Sequence, residues 1–242
     1  MTRELVDSLL QSNTSNRKAR ETVVDAYARD MIAGKWMITH QGIAISEDNV
    51  LIDGQHRLLA IRKAGYPKIE MLVVYGLPFE IQKYVDQQAK RSIRDVLKIS
   101  FDSVFTRHAP AIARQIFAET SGYSFTPTAS EVIDVIADYM DDITLITEAI
   151  GSSRFFAASH LAAFVKASHD NPERKQDIVD FLKSVEEGSM LSSKSPAFHL
   201  RNFTINSKGM SGGSNAKKTR FAKTAKAIEF HLNGQEIGVL KV

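Results

Sequence analysis

Residues 51–61 read Leu-Ile-Asp-Gly-Gln-His-Arg-Leu-Leu-Ala-Ile, and this run decides the fold of the N-terminal part of the chain. The pattern predicts an apolar strand that ends at Asp53 and Gly54, followed by a helix that starts on Gln55 to Arg57. Gly54 permits a sharp backbone turn and leaves room for a ligand against the main chain. The first N–H groups of a helix lack intrahelical acceptors and carry partial positive charge, so the turn predicts an anion site. A tight turn with solvated polar side chains explains the same run equally well.

Three side chains of this turn are candidate catalytic groups: Asp53, His56 and Arg57. Arg57 offers a planar fork that binds phosphate oxygens through two hydrogen bonds, and His56 adds a donor whose charge depends on pH. Asp53 has alternative roles, which are to hold Mg²⁺, to accept a proton from an attacking hydroxyl, or to cap the following helix. The predicted phosphate ligands on the turn are Gly54, Gln55, His56 and Arg57.

Residues 53–60, Asp-Gly-Gln-His-Arg-Leu-Leu-Ala, resemble the signature box of the ParB/sulfiredoxin superfamily, in its phage- and plasmid-borne branch with a DGQHR box. In order and spacing the resemblance covers roughly residues 16–98. It includes residues 27–36 and 39–45 upstream. Downstream, residues 86–92 stand where ParB proteins have a Glu-Asn-x-x-Arg box. The resemblance implies a phage or plasmid protein with a small ParB/sulfiredoxin-like nucleotide-binding module.

The downstream box supplies further candidates by the same resemblance. Lys90, Arg91 and Ser92 are expected to close the site around a nucleoside triphosphate, ATP or CTP, with Mg²⁺. Asp86 stands where the family often has Glu, which makes Asp53 and Asp86 the candidate magnesium ligands. An ordinary salt-bridged helix start is the alternative reading of this box.

Position 55 differs from several branches of the superfamily, and this restricts the functions that the resemblance implies. Sulfiredoxins carry a Cys there, and this chain has no cysteine, which excludes sulfinic acid reduction by that route as well as disulfides and thiolate metal sites. Partitioning ParB proteins carry a Glu there. Small-molecule kinases of the superfamily have a similar Asp-Gly-His-His-Arg box. We therefore expect nucleotide-dependent phosphoryl transfer or hydrolysis on or near DNA. The alternatives are a non-catalytic DNA-binding accessory protein or a ParB-like nuclease.

Charge is distributed unevenly along the 242 residues. Residues 201–242 contain eight Lys and Arg against two Glu, a net charge of +6, so the first 200 residues sum to −3. This asymmetry predicts a polyanionic partner, DNA, although a solvated helix face is the plain alternative. The candidate nucleic-acid ligands are Lys217, Lys218, Arg220, Lys223 and Lys226.

Composition and hydropathy indicate a globular, non-membrane protein. Charged residues make up 24% of the chain and hydrophobic ones 43%, which is typical of one generous domain or two small ones. No run approaches the ~18 apolar residues that span a membrane, and no signal peptide is recognisable at the N-terminus. We expect a cytoplasmic protein, in a bacterial host cell if it is phage-encoded, and a homodimer is one option for the helical half.

Periodicity predicts an α+β fold: a small mixed sheet-and-helix module over residues 1–99, then an all-helical domain over 100–242. The module's elements are a helix over 17–34, strands over 42–45 and 50–52 in a hairpin, a helix over 55–64, a strand over 69–75 and a helix through 81–85. In the second domain, a capping box at 128–131 starts a helix that runs to Gly151. Further helices cover 154–168, 173–187 and 217–232, the last after a Ser/Gly-rich loop over 207–215.

Overall fold

The computed structural model describes residues 1–83, 108–151, 153–189, 191–207 and 213–241. A small mixed three-stranded sheet with helices is followed by an all-helical region, which confirms the predicted fold class. The chain divides into two compact units, Met1–Arg91 with Thr126–Ser130, and Ser92–Phe125 with Glu131–Val242. The predicted domain boundary between residues 99 and 100 lies outside the described residues.

The first unit combines three helices, three strands and a short 3-10 helix. The helices are α1 (Arg3–Gln11), α2 (Glu21–Ile32) and α3 (Gln55–Lys63), the strands are β1 (Ile43–Ser46), β2 (Leu51–Asp53) and β3 (Val73–Leu77), and the 3-10 helix is Phe79–Lys83. The strand order is β2-β1-β3, with β1 antiparallel to β2 and parallel to β3. The predicted hairpin and the helix after it are thus confirmed.

Apolar alternation in β1 explains how this sheet positions the turn. Ile43 and Ile45 are 0% and 1% exposed and belong to the core of the unit, together with Leu51 and Leu58. Gly54 has φ +106°, and a Cβ at this position would lie 2.6 Å from Ile43 Cδ1. The step from β2 to α3 therefore needs glycine both for its backbone conformation and for its close approach to β1.

Three predicted elements of this unit differ in extent. The helix predicted over 17–34 begins only at Glu21, because residues 12–20 are bound to β2 and α3. The strand predicted over 69–75 is β3, which begins only at Val73 and runs to Leu77, where the Glu47 N–H donates to Leu77 O at 3.0 Å. The helix predicted through 81–85 is the 3-10 helix Phe79–Lys83, and residues 84 and 85 lie outside the described residues.

Helix α1 was missed by the periodicity analysis, although its signals are present. The Leu5 N–H donates to Thr2 Oγ1, an N-cap contact, and Val6 and Leu9 are 0% and 5% exposed. Their three-residue spacing puts both side chains on one face. A capping threonine followed by this short apolar stripe is sufficient to mark the helix.

Seven helices lie in the C-terminal region of the described chain: α4 (Ala109–Ser121), α5 (Ala129–Asp138), α6 (Met140–Ile150), α7 (Ala158–Asp170), α8 (Lys175–Glu187), α9 (Pro196–Asn206) and α10 (Ser214–Leu232). The predicted single helix from the capping box to Gly151 is two helices, because Tyr139 departs from helical geometry at φ −107° and ψ 17°. No helix of the described residues has the length and apolar character needed to cross a membrane.

The capping-box residues make contacts that the local pattern does not reveal. The hydroxyls of Thr128 and Ser130 both donate to Asp30 Oδ1, at 2.9 and 2.8 Å. Arg29 Nη2 donates to Thr126 O at 2.9 Å. These bonds explain why Thr126–Ser130 clusters with the first unit.

Candidate anion-binding turn

Helix α3 begins without a side-chain cap. Its N-cap residue is Gly54, and the first helical hydrogen bond runs from the Leu58 N–H to Gly54 O at 3.0 Å. The N–H groups of Gln55, His56 and Arg57 therefore precede the intrahelical hydrogen-bond ladder and carry the positive end of the helix dipole. Three backbone donors at this end of α3 are thus without an intrahelical acceptor, and the anion site stays a prediction.

Asp53 does not cap α3, contrary to one of its predicted roles. Its Oδ1 accepts from the Gly54 N–H at 2.6 Å, and its Oδ2 accepts from Arg57 Nη2 at 2.8 Å. The Arg57 side chain is 13% exposed, and its Nε is buried without a hydrogen-bond partner among the described residues. The carboxylate thus fixes one edge of the guanidinium, while another donor of the same group stays unused.

A polar segment, residues 12–20 between α1 and α2, lies against the turn; we refer to it as the strap. It bonds to β2 through the Leu51 backbone: the Leu51 N–H donates to Ser12 O at 2.8 Å, and Asn16 Nδ2 donates to Leu51 O at 2.6 Å. It bonds to α3 through Gln55 Nε2, which donates to Arg17 O at 3.0 Å. The strap therefore runs beside the strand-to-helix turn.

The backbone of the strap also forms a hydrogen bond with His56. The Arg20 N–H donates to His56 Nε2 at 3.0 Å, so Nε2 is the unprotonated nitrogen and Nδ1 carries the proton of the neutral ring. Partial burial lowers the pKa of His56, and the charges of Arg17, Arg20 and Arg57 lower it further, while Asp53 raises it. Three arginines and one carboxylate thus act on a single imidazole, which makes the turn favourable for an anion.

The remaining predicted ligands of this site have no described counterpart. Asp86, Lys90, Arg91 and Ser92 lie outside the described residues. Within the ranges that the structure describes, no group of three or more His, Asp or Glu side chains is arranged to hold a metal ion. The magnesium assignment of Asp53 and Asp86 stays a prediction.

Sequence reasoning missed the strap altogether. The predicted helix over 17–34 includes Arg17 and Arg20, and no element is predicted at Asn13 and Asn16, yet all four residues bond to β2 or α3. One signal was available: residues 11–20 contain nine polar residues and one alanine, and such a stretch has no apolar stripe to bury as a helix.

Helix α10 carries the predicted nucleic-acid ligands, but it does not expose them all. Arg220 is 8% exposed, and its Nη2 donates to Ser207 O at 2.9 Å. Lys223 Nζ donates to Leu240 O at 2.8 Å and lies 5.0 Å from the centre of the Phe203 ring. Both cations therefore serve the packing of the helical unit, and the buried Arg220 is not part of an exposed basic face.

The other three cations of α10 face solvent to different degrees. Lys226 pairs with Glu229 at 3.0 Å and lies 4.9 Å from the Phe230 ring centre. Lys217 and Lys218 are exposed in the first turn of the helix. A basic surface on α10 is thus limited to its N-terminal end, and it is smaller than the sequence predicted.

Comparison of the chain with protein-family models, with curated proteins and with solved structures finds no significant match. The resemblance to the ParB/sulfiredoxin superfamily therefore rests on the residues quoted above and stays a prediction.

Proposed function

We propose that the first unit binds the phosphates of a nucleotide at the Asp53–Arg57 turn and uses it for phosphoryl transfer or hydrolysis. One observation carries the proposal: the uncapped first turn of α3 carries Arg57, and the strap backbone is hydrogen-bonded to this turn at Arg17 and Arg20. Helix N-termini and converging cations are the two features that proteins use most often to hold phosphate.

The donor set fits phosphate. Backbone N–H groups of α3 supply neutral donors, and Arg57 supplies a guanidinium that Asp53 holds in one orientation. Phosphoryl transfer depends mainly on positioning and on charge stabilisation. In this proposal Arg57 balances the charge of the transferred group, His56 donates a hydrogen bond through Nδ1, and Asp53 is placed to accept a proton once Arg57 turns toward phosphate.

The donor set for Mg²⁺ is less complete. Asp53 is a carboxylate next to the proposed phosphate position, but its Oδ2 is bound to Arg57. Magnesium is usually held by one or two carboxylates together with substrate phosphates and water. If Mg²⁺ accompanies the nucleotide, Asp53 is the carboxylate of the described turn that would hold it, with Asp86 as its proposed partner.

Nucleotide binding and turnover test the proposal directly. ATP, ADP, CTP and GTP are titrated into the protein with Mg²⁺, with and without duplex DNA, and phosphate release is followed. Arg57→Ala is expected to weaken binding by about tenfold or more, since a charge-assisted hydrogen bond to phosphate contributes roughly 1.5–3 kcal/mol. Arg62→Ala is the matched control, because Arg62 is exposed at the other end of α3. Equal binding by all three proteins would contradict the proposal.

A second candidate function is DNA binding without catalysis, and exposed Lys217 and Lys218 favour it. Each phosphate that these lysines neutralise should contribute about −0.9 to the slope of log K against log salt concentration. The double variant Lys217→Ala, Lys218→Ala is expected to reduce that slope by about 2. The control variant Arg62→Ala, Lys68→Ala removes the same charge from exposed positions of the first unit. An identical slope in both variants would remove α10 from any DNA site.

A further inference from the structure

We infer that Gln55 is a positioning residue whose buried amide holds the strap on the turn and thereby sets Arg17 and Arg20 beside His56. The inference rests on the proposed function, since it assigns the two arginines of the strap to the same anion site. It concerns a residue that neither binds phosphate through its side chain nor takes part in the chemistry.

The environment of Gln55 is that of a structural amide. The residue is 6% exposed, its Nε2 donates to Arg17 O at 3.0 Å, and its Oε1 accepts from Asn13 Nδ2 at 3.4 Å. A primary amide is costly to bury unless both of its ends are hydrogen-bonded. Here both ends are satisfied by the strap, so the strap and Gln55 depend on each other.

Further amides extend this link along the strap. Asn16 Nδ2 donates to Asn13 Oδ1 at 2.8 Å, and Asn16 Oδ1 accepts from Gln82 Nε2 at 3.4 Å. The contacts run from the 3-10 helix through Asn16 and Asn13 to Gln55. These amide hydrogen bonds do not involve the side chains of Arg17 and Arg20.

The start of α2 gives independent support. Residues 17–20 read Arg-Lys-Ala-Arg, and all four are strong helix formers. The N-cap residue Arg20 has no side-chain cap that would stop the helix there. Two tertiary hydrogen bonds hold this stretch outside the helix: Arg17 O accepts from Gln55, and the Arg20 N–H donates to His56. Without the Gln55 amide we expect residues 17–20 to join α2 and to move their charges away from the turn.

The test uses the pKa of His56 in the ligand-free protein, measured by NMR titration of its imidazole. The groups that act on this ring are Arg17, Arg20 and Arg57, which lower its pKa, and Asp53, which raises it. Gln55→Leu keeps a side chain of similar size but removes the amide. The pKa of His56 should therefore rise toward its ordinary value. Gln115→Leu is the matched control, because Gln115 lies in the second unit, is 5% exposed, and donates a hydrogen bond from its amide Nε2 to Glu119 Oε1. An unchanged pKa in folded Gln55→Leu would overturn the inference.

A second variant keeps the test valid if Gln55→Leu does not fold. Arg17→Ala with Arg20→Ala removes only exposed side chains, and it should raise the pKa of His56 in the otherwise native strap. If the pKa of His56 stays unchanged in this variant, the arginines do not lie where they act on the ring and the inference fails.

Binding of inorganic tripolyphosphate separates the inference from the proposed function. Loss of Arg17 and Arg20 should weaken binding about tenfold in the wild-type background, but add little in the Gln55→Leu background, where the strap is already displaced. Full additivity of the two changes would overturn the inference. If the pKa of His56 responds as expected while no variant alters tripolyphosphate binding, the strap assignment holds and the anion site is wrong.

Discussion

Asp53 and Arg57 form an ion pair across the first turn of α3, with 2.8 Å between Oδ2 and Nη2. The pair has a double effect on the proposed site. It orients the guanidinium, which otherwise would lose side-chain freedom on binding, but it also places a negative charge where phosphate is expected. An incoming phosphate must therefore compete with Asp53 for Arg57, and the released carboxylate then lies next to the reacting group.

Asp53→Asn should separate affinity from turnover. Removing the carboxylate charge takes away the competitor for Arg57. Without Mg²⁺ we therefore expect nucleotide affinity to rise about fivefold, since one nearby charge at a partly exposed site contributes roughly 1 kcal/mol. Turnover should fall, because the proposed proton acceptor is lost. Calorimetric titration and phosphate-release assays measure the two quantities. Asp48→Asn, in the exposed turn between β1 and β2, is the control, and equal affinities of the two variants would contradict this role of Asp53.

Phosphate binding should be coupled to proton uptake at His56. The pKa of His56 lies below its ordinary value in the free protein, and a bound phosphate raises it, because an adjacent anion favours the imidazolium. Between these two pKa values the complex holds more protons than the free protein, so affinity rises as pH falls through that window. Calorimetry in buffers of different ionisation enthalpy measures the uptake. His56→Gln should lose this component, whereas identical uptake in both proteins would exclude His56 from the site.

Gly54 is expected to tolerate a side chain less well than Gly65, another glycine of positive φ. An alanine there meets Ile43 Cδ1 at 2.6 Å at φ +106°, whereas Gly65, after the other end of α3, has φ +80° and no heavy atom within 4 Å of its Cβ position. Gly65→Ala should cost about 1 kcal/mol for backbone strain alone. Gly54→Ala should cost about 3 kcal/mol because overpacking adds to it. Urea unfolding compares the two, and equal losses would contradict the close contact.

The helical unit should lose stability in mild acid because of His160. This residue is 1% exposed, burial lowers its pKa to about 4, and its ring Nδ1 lies 2.8 Å from Thr224 Oγ1. Thr224 donates its hydroxyl proton to Arg220 O at 2.7 Å, so His160 Nδ1 is the donor to Thr224. The lowered pKa keeps the folded ring neutral at pH 7. The unfolded chain binds a proton at pH 6.5 and below, whereas the folded chain does so only near pH 4. Stability therefore falls as pH decreases between these values.

From pH 7 to pH 5 this single group should lower the free energy of unfolding by roughly 2 kcal/mol. Urea denaturation at the two pH values measures the loss. His160→Asn keeps a donor near the Nδ1 position but cannot titrate, so its loss over the same interval should be smaller by that amount. The same pH dependence in wild type and variant would show that His160 is not the group responsible.

The sequence predicted the elements whose signals are local. The hairpin of β1 and β2 and the start of α3 follow from apolar alternation, from Asp53-Gly54 and from the polar first turn. The polar composition of residues 11–20 argues against a helix there, but the contacts of the strap could not be predicted in this way. Residues 17–20 favour a helix locally and are held outside it by Gln55 and His56, which are distant in the chain. Tertiary hydrogen bonds override propensity here, and by our inference they add Arg17 and Arg20 to the site that contains Arg57.

The same limitation explains why the sequence overestimates the exposed basic surface of α10. Charge counting along α10 treats Arg220, Lys223 and Lys226 alike, yet each has a different partner: a backbone carbonyl in the core, a carbonyl near the C-terminus, and Glu229 on the same helix. Only the last of these pairs is visible as an i,i+3 spacing in sequence. The partners of Arg220 and Lys223 are determined by other elements that pack against α10.

The most direct measurement of the central claim is an NMR titration of backbone amides with ATP and CTP in the presence of Mg²⁺. If phosphate binds at the uncapped start of α3, the amide resonances of Gln55, His56, Arg57 and Arg20 should shift together and saturably. Arg57→Ala should move this titration to nucleotide concentrations about tenfold higher or more. If nucleotide leaves these amides unchanged, or shifts only residues of α10, then the Asp53–Arg57 turn is a structural element and the proposed nucleotide site is wrong.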